Sequence, residues 1–466
     1  MDPYSQFPSH DIHAFGQAPD AVVSPLVVVV VCLASLAMFL LPRKYLIWTY
    51  LTPLMLIPMG QAMEAGAVHI RPMQILTIVA FIRFIKDGSR IPSIGKSPLD
   101  RAFVLWALSY AIIFTLRWQT SGAIVNQLRG LFDTIGVYYV LRFLIFNEEG
   151  VLRTIRVLAV LACVIGVLMT AERLTGHNPF AVLGGVHELS EVRNGSVRSQ
   201  GPFEQAIPAG TFGATLLPLF VGLWVSDAKR RSLAMLGIPA AIAISITSAC
   251  STPILAVAGA IIAFSLWPMR RKMRWIRWGV VIVVIGLQIV MKADVWWLIA
   301  RVDVTGSSTG WDRAALIDNA IRHFNEWWLL GTNNNPNWGF NMWDLCNWFV
   351  AQAVQGGLLT FVLFVLVIVY GFRRLGRARR AASGDFKKEF FIWAVGAALF
   401  SQVCSFFGTS YYDQTIVAWF ALLAIISAVT RLPVVQRAKE AEPVMLDANN
   451  LELAGVGVRE QRGVEL

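Results

Sequence analysis

Thirteen apolar runs succeed one another along this 466-residue chain, near 23–41, 45–60, 73–85, 102–116, 123–141, 157–171, 206–225, 233–250, 254–267, 278–291, 346–372, 389–408 and 415–430. Crossing hydrocarbon takes about 20 predominantly apolar residues as a helix, since a helix pairs its own backbone donors and acceptors where water is absent. Repetition at this density points to one fold class, an all-α polytopic transmembrane helical bundle of about 12–13 spans. Composition excludes the alternatives. With 56% hydrophobic and 15% charged residues, against about 25% charged in a soluble domain, the chain is neither a water-soluble enzyme nor a disordered or collagen-like one.

Charge then orients the bundle. If the first run starts outside and the runs alternate, the inside loops are 42–44, 86–101, 142–156, 226–232, 268–277 and 373–388, with the tail from 431. These hold 29 of the 40 Lys and Arg residues and the outside segments hold 9, while Arg83 and Arg129 fall within helices. Lys and Arg concentrate on the cytoplasmic side of membrane proteins, so the amino terminus is expected outside and the carboxyl terminus inside. The net charge of +11 reflects those loops facing anionic headgroups and not nucleic acid, for which there is no soluble basic domain. Residues 1–22 contain no Lys or Arg and so lack the basic start of a cleaved signal peptide. The weakest break between runs is Cys250-Ser251-Thr252-Pro253.

The chain therefore divides into an extracytoplasmic segment 1–22 and helices 1–10 over 23–291, with an outside loop at 172–205. A large outside loop at 292–345, helices 11–13 over 346–430 and a cytoplasmic tail 431–466 follow. The tail is polar and expected to be disordered. The two long outside loops hold the most distinctive residues, and loops of that length inside compact bundles are functional or disordered.

In the larger loop, Thr309 and Asp312 resemble the start of a helix, and Ile317, Ala320, Ile321, Phe324 and Trp328 recur at helical spacing up to a stop at Gly331. This amphipathic helix is expected to lie along the outer membrane surface. Arg313 stands one turn before Ile317 and is expected to point to the bundle mouth, where a lipid phosphate would be. Asp344 and Asn347 sit about one turn apart where the next helix begins. Eight of the 17 tryptophans fall within 296–348. They read as an interfacial aromatic belt, above all Trp296, Trp297, Trp327 and Trp328, or as sugar-stacking platforms, above all Trp338 and Trp343.

In the smaller loop, Arg193 and Arg198 precede Gly201-Pro202-Phe203. A pair of outward arginines suits an anionic ligand because guanidinium offers a planar fork to phosphate; the alternative is two solvated charges. Arg129 and Asp133 are four residues apart inside an apolar run, where charges are costly and face the bundle interior. They either neutralise each other or meet substrate. The five cysteines form no CxxC pair, and His177, His187 and His323 have no ligand spacing, so no metal site or cofactor is expected.

Taken in order, Trp311-Asp312-Arg313, Leu329-Leu330-Gly331 and Cys346-Asn347-Trp348-Phe349-Val350 through Gly356-Gly357-Leu358 resemble the O-antigen ligase and O-antigen polymerase superfamily, as does Arg198-Ser199-Gln200-Gly201-Pro202-Phe203. The resemblance covers about 80 residues plus the topology. It implies a multi-pass protein of the bacterial inner membrane with the long loops periplasmic. It further implies a glycosyltransferase acting on polyprenyl-pyrophosphate-linked O-antigen or exopolysaccharide repeats, with membrane lipids, chain-length regulators or flippases as partners.

Ligases carry a His just before the Asn of the last motif, and here that position is Cys346. The departure favours polymerase over ligase. On this reading Arg198 and Arg313, supported by Arg193, stabilise the departing pyrophosphate without a metal, and Asp344 takes the acceptor proton. Asn347, Trp338, Trp343, Arg129 and Asp133 complete the substrate-binding candidates. The rival readings are a secondary transporter or flippase for an anionic lipid-linked sugar, with Arg129 and Asp133 as its coupling pair, and a non-catalytic assembly subunit. Arginines and aromatics gathered in outside loops, not in broken mid-membrane helices, favour the enzyme.

Overall fold

The computed structural model describes residues 21–65, 68–88, 97–228, 231–301 and 310–431. Residues 1–20, Thr309 and the tail from 432 lie outside the described residues.

Each of the thirteen apolar runs falls on a helical rod. They are α1 (Pro25–Leu40), α2 (Leu46–Leu56), α3 (Pro72–Lys86), α4 (Pro98–Trp118), and a single rod made of α5 (Ser121–Leu131), a π turn (Phe132–Gly136) and α6 (Val137–Leu144). There follow α7 (Glu148–Thr175), α8 (Ala206–Ser226), α9 (Arg231–Thr247), α10 (Ser251–Ser265) and α11 (Met273–Val290). In the large loop lie α12 (Gly310–Arg322) and the short α13 (Phe324–Trp327); α14 (Trp348–Ala381), α15 (Phe386–Phe406) and α16 (Asp413–Val429) close the bundle. Among the described residues six helices are long and apolar enough to cross a membrane, and four shorter apolar helices join them.

The rods begin and end where local chemistry dictates. Proline opens α1, α3 and α4, where its missing N–H costs nothing. Thr120, Asn147, Asn347 and Asp385 cap α5, α7, α14 and α15 with side-chain oxygens. The uncertain break at 250–253 is real: Cys250 turns extended between α9 and α10.

Hydrogen bonds sort the helix ends into two groups. At the basic end, Arg83 Nη1 reaches Phe39 O at 2.8 Å, Ser226 Oγ reaches Lys387 O at 3.0 Å, and Glu389 joins Arg270 and Arg379 at 3.0 and 2.9 Å. At the opposite end, the loop end, Gln61 joins Leu183 and Gly184, Ser199 joins Thr247, and Ser410 joins Leu345. These bonds join helix ends that flank expected inside loops to one another, and expected outside segments to one another.

Hydropathy does not decide which helix is central. Every residue of α16 is buried, whereas none of α11 is. Both are rich in apolar residues; α16 fills the bundle axis against α6, α14 and α15, and α11 stands at the edge, tied mainly through its flanking turns.

A fully buried ion pair also pins the basic end. Arg142 donates to Asp100 at 3.0 and 3.2 Å, Tyr138 donates to the same carboxylate at 2.6 Å, and both charged residues are 1% exposed. Asp100→Asn leaves the guanidinium buried without its counter-charge. The expected cost is about 3–5 kcal/mol, read as a clear fall in the thermal midpoint in detergent, and an unchanged midpoint would show the pair to be dispensable.

The amphipathic helix differs from its expected form. It is interrupted at His323 (φ −96°, ψ 27°), and Trp327 Nε1 takes the carbonyl of Ala320 at 2.7 Å, the acceptor a continuing helix would have given to residue 324. Arg313, Leu316 and Ala320 face the protein, while Ile321, Phe324 and Trp328 are exposed. Trp327, expected in the belt, is a buried packing residue, 7% exposed.

Candidate functional site

The loop end is built around the connection between α15 and α16. Thr252 Oγ1, at the start of α10, donates to Gly408 O at 3.2 Å, and Ser410 Oγ donates to Leu345 O at 2.5 Å. The Glu204 N–H donates to Asp413 at 3.1 Å, and Gln414 Nε2 donates to both Pro202 and Ile57 carbonyls at 3.0 and 2.9 Å. Segments from four other parts of the chain thus meet on residues 408–414. Underneath, Trp348 stacks on Tyr411 (4.9 Å between centroids) and meets Phe406 edge-on.

The second junction is a break in α14. Gly357 adopts φ 68° and ψ 178°, so the helix splits into a short piece over 348–356 and a long span after it. The backbone groups freed there find partners from elsewhere, as they must at membrane depth. Thr332 N–H donates to Val354 O at 2.7 Å, Leu358 N–H donates to Trp328 O at 2.8 Å, and Arg117 Nη1 donates to Gln355 O at 2.9 Å. The Leu329-Leu330-Gly331 and Gly356-Gly357 segments, separate in sequence, are one interlocked unit, and it holds α12 against the mouth of the bundle.

Arg313, Asp344, Cys346 and Asn347 meet at the start of the short helical piece. Arg313 is 8% exposed; it hydrogen-bonds the Cys346 thiol and lies beside the Asp344 carboxylate. Burial and the neighbouring Asp344 push the Cys346 thiol up to about 12, so it is a neutral thiol near pH 7 and no base. Partial desolvation at the lip raises the Asp344 carboxyl above the usual carboxylate value, Arg313 opposes that rise and Asp312 adds to it. Asn347 is the helix cap itself: its Oδ1 accepts from Phe349 and Val350 at 3.0 and 3.2 Å, so Asp344 lies on the approach and not one turn into the helix. Two donors stay over. Among the described residues, Arg313 Nε and Asn347 Nδ2 are buried with no hydrogen-bond partner.

Arg198 is already engaged by groups of its own neighbourhood. It ends the hairpin of β1 (Glu191–Arg193) and β2 (Ser196–Arg198), in register with Glu191, to which Nη1 donates at 2.9 and 3.0 Å; Nε and Nη2 donate to the Cys250 thiol at 3.3 and 2.8 Å. Arg193 lies half-buried on that hairpin.

The two aromatic candidates separate. Trp343 is 43% exposed, whereas Trp338 is 8% exposed, its face stacked on His323 at 4.9 Å and its Nε1 on Glu326 at 3.0 Å. Trp338 therefore packs the loop and presents no free face to a sugar. Arg129 and Asp133 are also reassigned. Asp133, in the π turn, accepts from Gln74 Nε2 at 3.1 Å and faces Arg71 as well as Arg129, so the carboxylate belongs to a larger group, not to a self-neutralising pair.

Several residues of this end carried no recognised sequence signal. Buried Glu172 ties down the smaller loop by accepting from the Gln200 and Gly201 N–H groups at 2.9 and 2.8 Å. Arg71 stands beside Asp133, Arg129 and Glu204, and Tyr412 beside Asp413, Glu204 and Asp344. The available hints were the lone Arg71 in its outside segment and the Tyr411-Tyr412-Asp413 run heading the last apolar stretch.

No protein-family model matches this chain, and no curated protein matches it.

Proposed function

We propose that this protein is a glycosyltransferase of the bacterial inner membrane, with its loop end in the periplasm. There it polymerises polyprenyl-pyrophosphate-linked glycan repeats, or, as the neighbouring possibility, ligates them to an acceptor lipid. The observation that carries this reading is the pair of buried donors, Arg313 Nε and Asn347 Nδ2, left without acceptors at a helix start beside an accessible carboxylate. A buried donor without a partner costs about 1–3 kcal/mol, a deficit that a phosphate oxygen would cancel. The amino-terminal end of a helix adds positive potential at the same point.

The chemistry is a substitution. The acceptor hydroxyl oxygen bonds to the anomeric carbon while the bond from that carbon to the bridging phosphate oxygen breaks, its electron pair leaving with the pyrophosphate. Arg313 and Asn347 meet the charge that grows on the leaving group. Asp344 receives the hydroxyl proton; the Cys346 thiol, neutral near pH 7, is not a competitor for that role. Arg198 is a weaker candidate than Arg313 because its fork is filled by Glu191 and Cys250.

The test is reconstitution of the full chain with lipid-linked repeats: lengthened glycans are expected, and movement of the substrate across the bilayer without lengthening would replace this reading with transport. Asp344→Asn should lower the rate about 10²–10⁴-fold. Since the base must be ionised, activity rises with pH through its pKa. Burial displaces that limb of the wild-type profile upward from the ordinary carboxylate range. Undiminished turnover in Asp344→Asn would assign the proton elsewhere.

A further inference from the structure

At the basic end, arginines from three parts of the bundle converge on the start of α4. Arg142, near the end of α6, holds Asp100 in the first turn of α4. Arg374 of α14 donates to Oγ of Ser97, the residue before that helix, and its Nε donates to Thr430 Oγ1 at 3.0 Å. Arg431, just past the end of α16, lies over the Phe146 ring at 5.2 Å and faces both Arg142 and Arg374. The carboxylate that this group faces is Asp100, and Arg142 already takes both of its oxygens. Arg374 meets hydroxyls and a carbonyl instead, and Arg431 meets a ring. Two of the three positive charges therefore have no counter-charge of their own among the described residues.

The same place has donors left over. Arg142 is 1% exposed and spends Nε and Nη2 on Asp100, so its Nη1 is buried with no partner among the described residues. Ser427, whose carbonyl takes Arg374 Nη2 at 3.5 Å, has its own hydroxyl buried and unpartnered. The 21-residue helix α4 starts without a side-chain cap, so the positive end of its dipole adds to the arginines. The carboxyl-terminal ends of α6 and α16 soften the repulsion between like charges, but they bring no oxygen to Arg142 Nη1. A phosphate does both: its charge offsets the surplus and its several oxygens accept from guanidinium and hydroxyl together. Position points to a lipid phosphate. Arg374 and Arg431 are half-buried, so the group opens outward, and Phe146 beneath Arg431 is 52% exposed and gives that opening an apolar wall. The end of a membrane-crossing bundle is also where anionic headgroups gather around Lys and Arg.

We propose that Arg142, Arg374, Arg431 and the start of α4 form a phosphate site for an anionic phospholipid of the leaflet at the basic end. The bound headgroup ties α4, α6, α14 and α16 together at one point. Helix α16 is buried along its whole length from Asp413 to Val429, so fixing its basic end also steadies the loop-end hub built on residues 408–414. This site is separate from Arg313 and stands whether the protein transfers glycans or transports them.

The test follows lipid binding to the full chain, delipidated in detergent, by native mass spectrometry and by the thermal midpoint. The probes are dioleoylphosphatidylglycerol, dioleoylphosphatidylcholine and inorganic phosphate. One saturable phosphatidylglycerol per chain and a raised midpoint are expected, with neither effect from phosphatidylcholine. Arg431→Gln should weaken that binding about tenfold or more and remove most of the midpoint rise. Arg431→Glu, which places a carboxylate where the headgroup would sit, should abolish both. Arg377→Gln, at an exposed arginine of α14 outside the group, is the control and should leave both unchanged. Because mass spectrometry counts the lipid directly, a variant with a lower starting midpoint still reports on the site. The absence of a saturable phosphatidylglycerol overturns the proposal. So do equal losses in Arg431→Gln and Arg377→Gln, the mark of general attraction to a basic surface. Inorganic phosphate that raises the midpoint as much as phosphatidylglycerol, with the same dependence on Arg431, would overturn the lipid as the source of the phosphate.

Discussion

Arg313→Ala is expected to reduce glycan transfer at least 10²–10³-fold, the usual effect of removing one preorganised donor from a developing oxyanion, with normal expression and membrane insertion. The residue is 8% exposed and held by Cys346 and Asp344, so its geometry is set before substrate arrives. Loss of the side chain should not unfold the protein, because the partner left behind, Asp344, is exposed at the lip and stays solvated.

The variant carries a second readout. Arg313 lowers the Asp344 pKa, so in Arg313→Ala the residual activity should have its acidic limb displaced to higher pH. Arg313→Lys keeps that charge and should hold the limb near its wild-type position, while recovering only part of the rate because the planar fork is lost. Wild-type product levels in Arg313→Ala would take this residue out of the mechanism.

Gly357→Ala is expected to be strongly destabilising. The φ of 68° and ψ of 178° belong to a region that only glycine occupies readily, at a cost to other residues of about 1–3 kcal/mol. A Cβ there would also stand 2.6 Å from Leu329 O. The partner position is equally tight: Gly331 has φ 68°, and its Cβ would meet Val354 O at 2.5 Å and Arg117 Nη1 at 2.6 Å. Either substitution should separate the broken helix from the segment that pairs its freed backbone groups, giving a combined loss of about 3 kcal/mol or more. Little monodisperse protein and a thermal midpoint several degrees lower are the expected signs. Gly376→Ala in the same helix is the control: its Cβ would come no nearer than 4.0 Å to any neighbour, and alanine in a helix interior gains about 0.5–1 kcal/mol over glycine. Equal damage at 376 and 357 would show that the junction is not special.

The interlocked junction is also the clearest instance of what a linear reading misses. Leu329-Leu330-Gly331 and Gly356-Gly357 were visible as motifs, but their pairing was not, because a helix break and the loop that heals it are complementary only in three dimensions. Trp338 and Trp343 read alike in sequence; His323 covers the face of one and leaves the other open. Arg198 and Arg313 both read as arms for an anion, yet Glu191 arrives by hairpin register to fill the first. Arg71 went unread because its group is assembled from α3, α5 and the 199–205 segment, none adjacent in the chain.

Hydropathy and charge along the chain were enough for the all-α bundle and the position of its rods. Both are one-dimensional quantities: the cost of placing a residue in hydrocarbon depends on that residue and its near neighbours. Which rod becomes the axis, which buried donors are left over and which arginine keeps a free edge depend on partners hundreds of residues away, such as Gln414 with Ile57 or Glu204 with Asp413. Those outcomes are set by packing, where one atom excludes or satisfies another, and so they come into being only when the chain has folded.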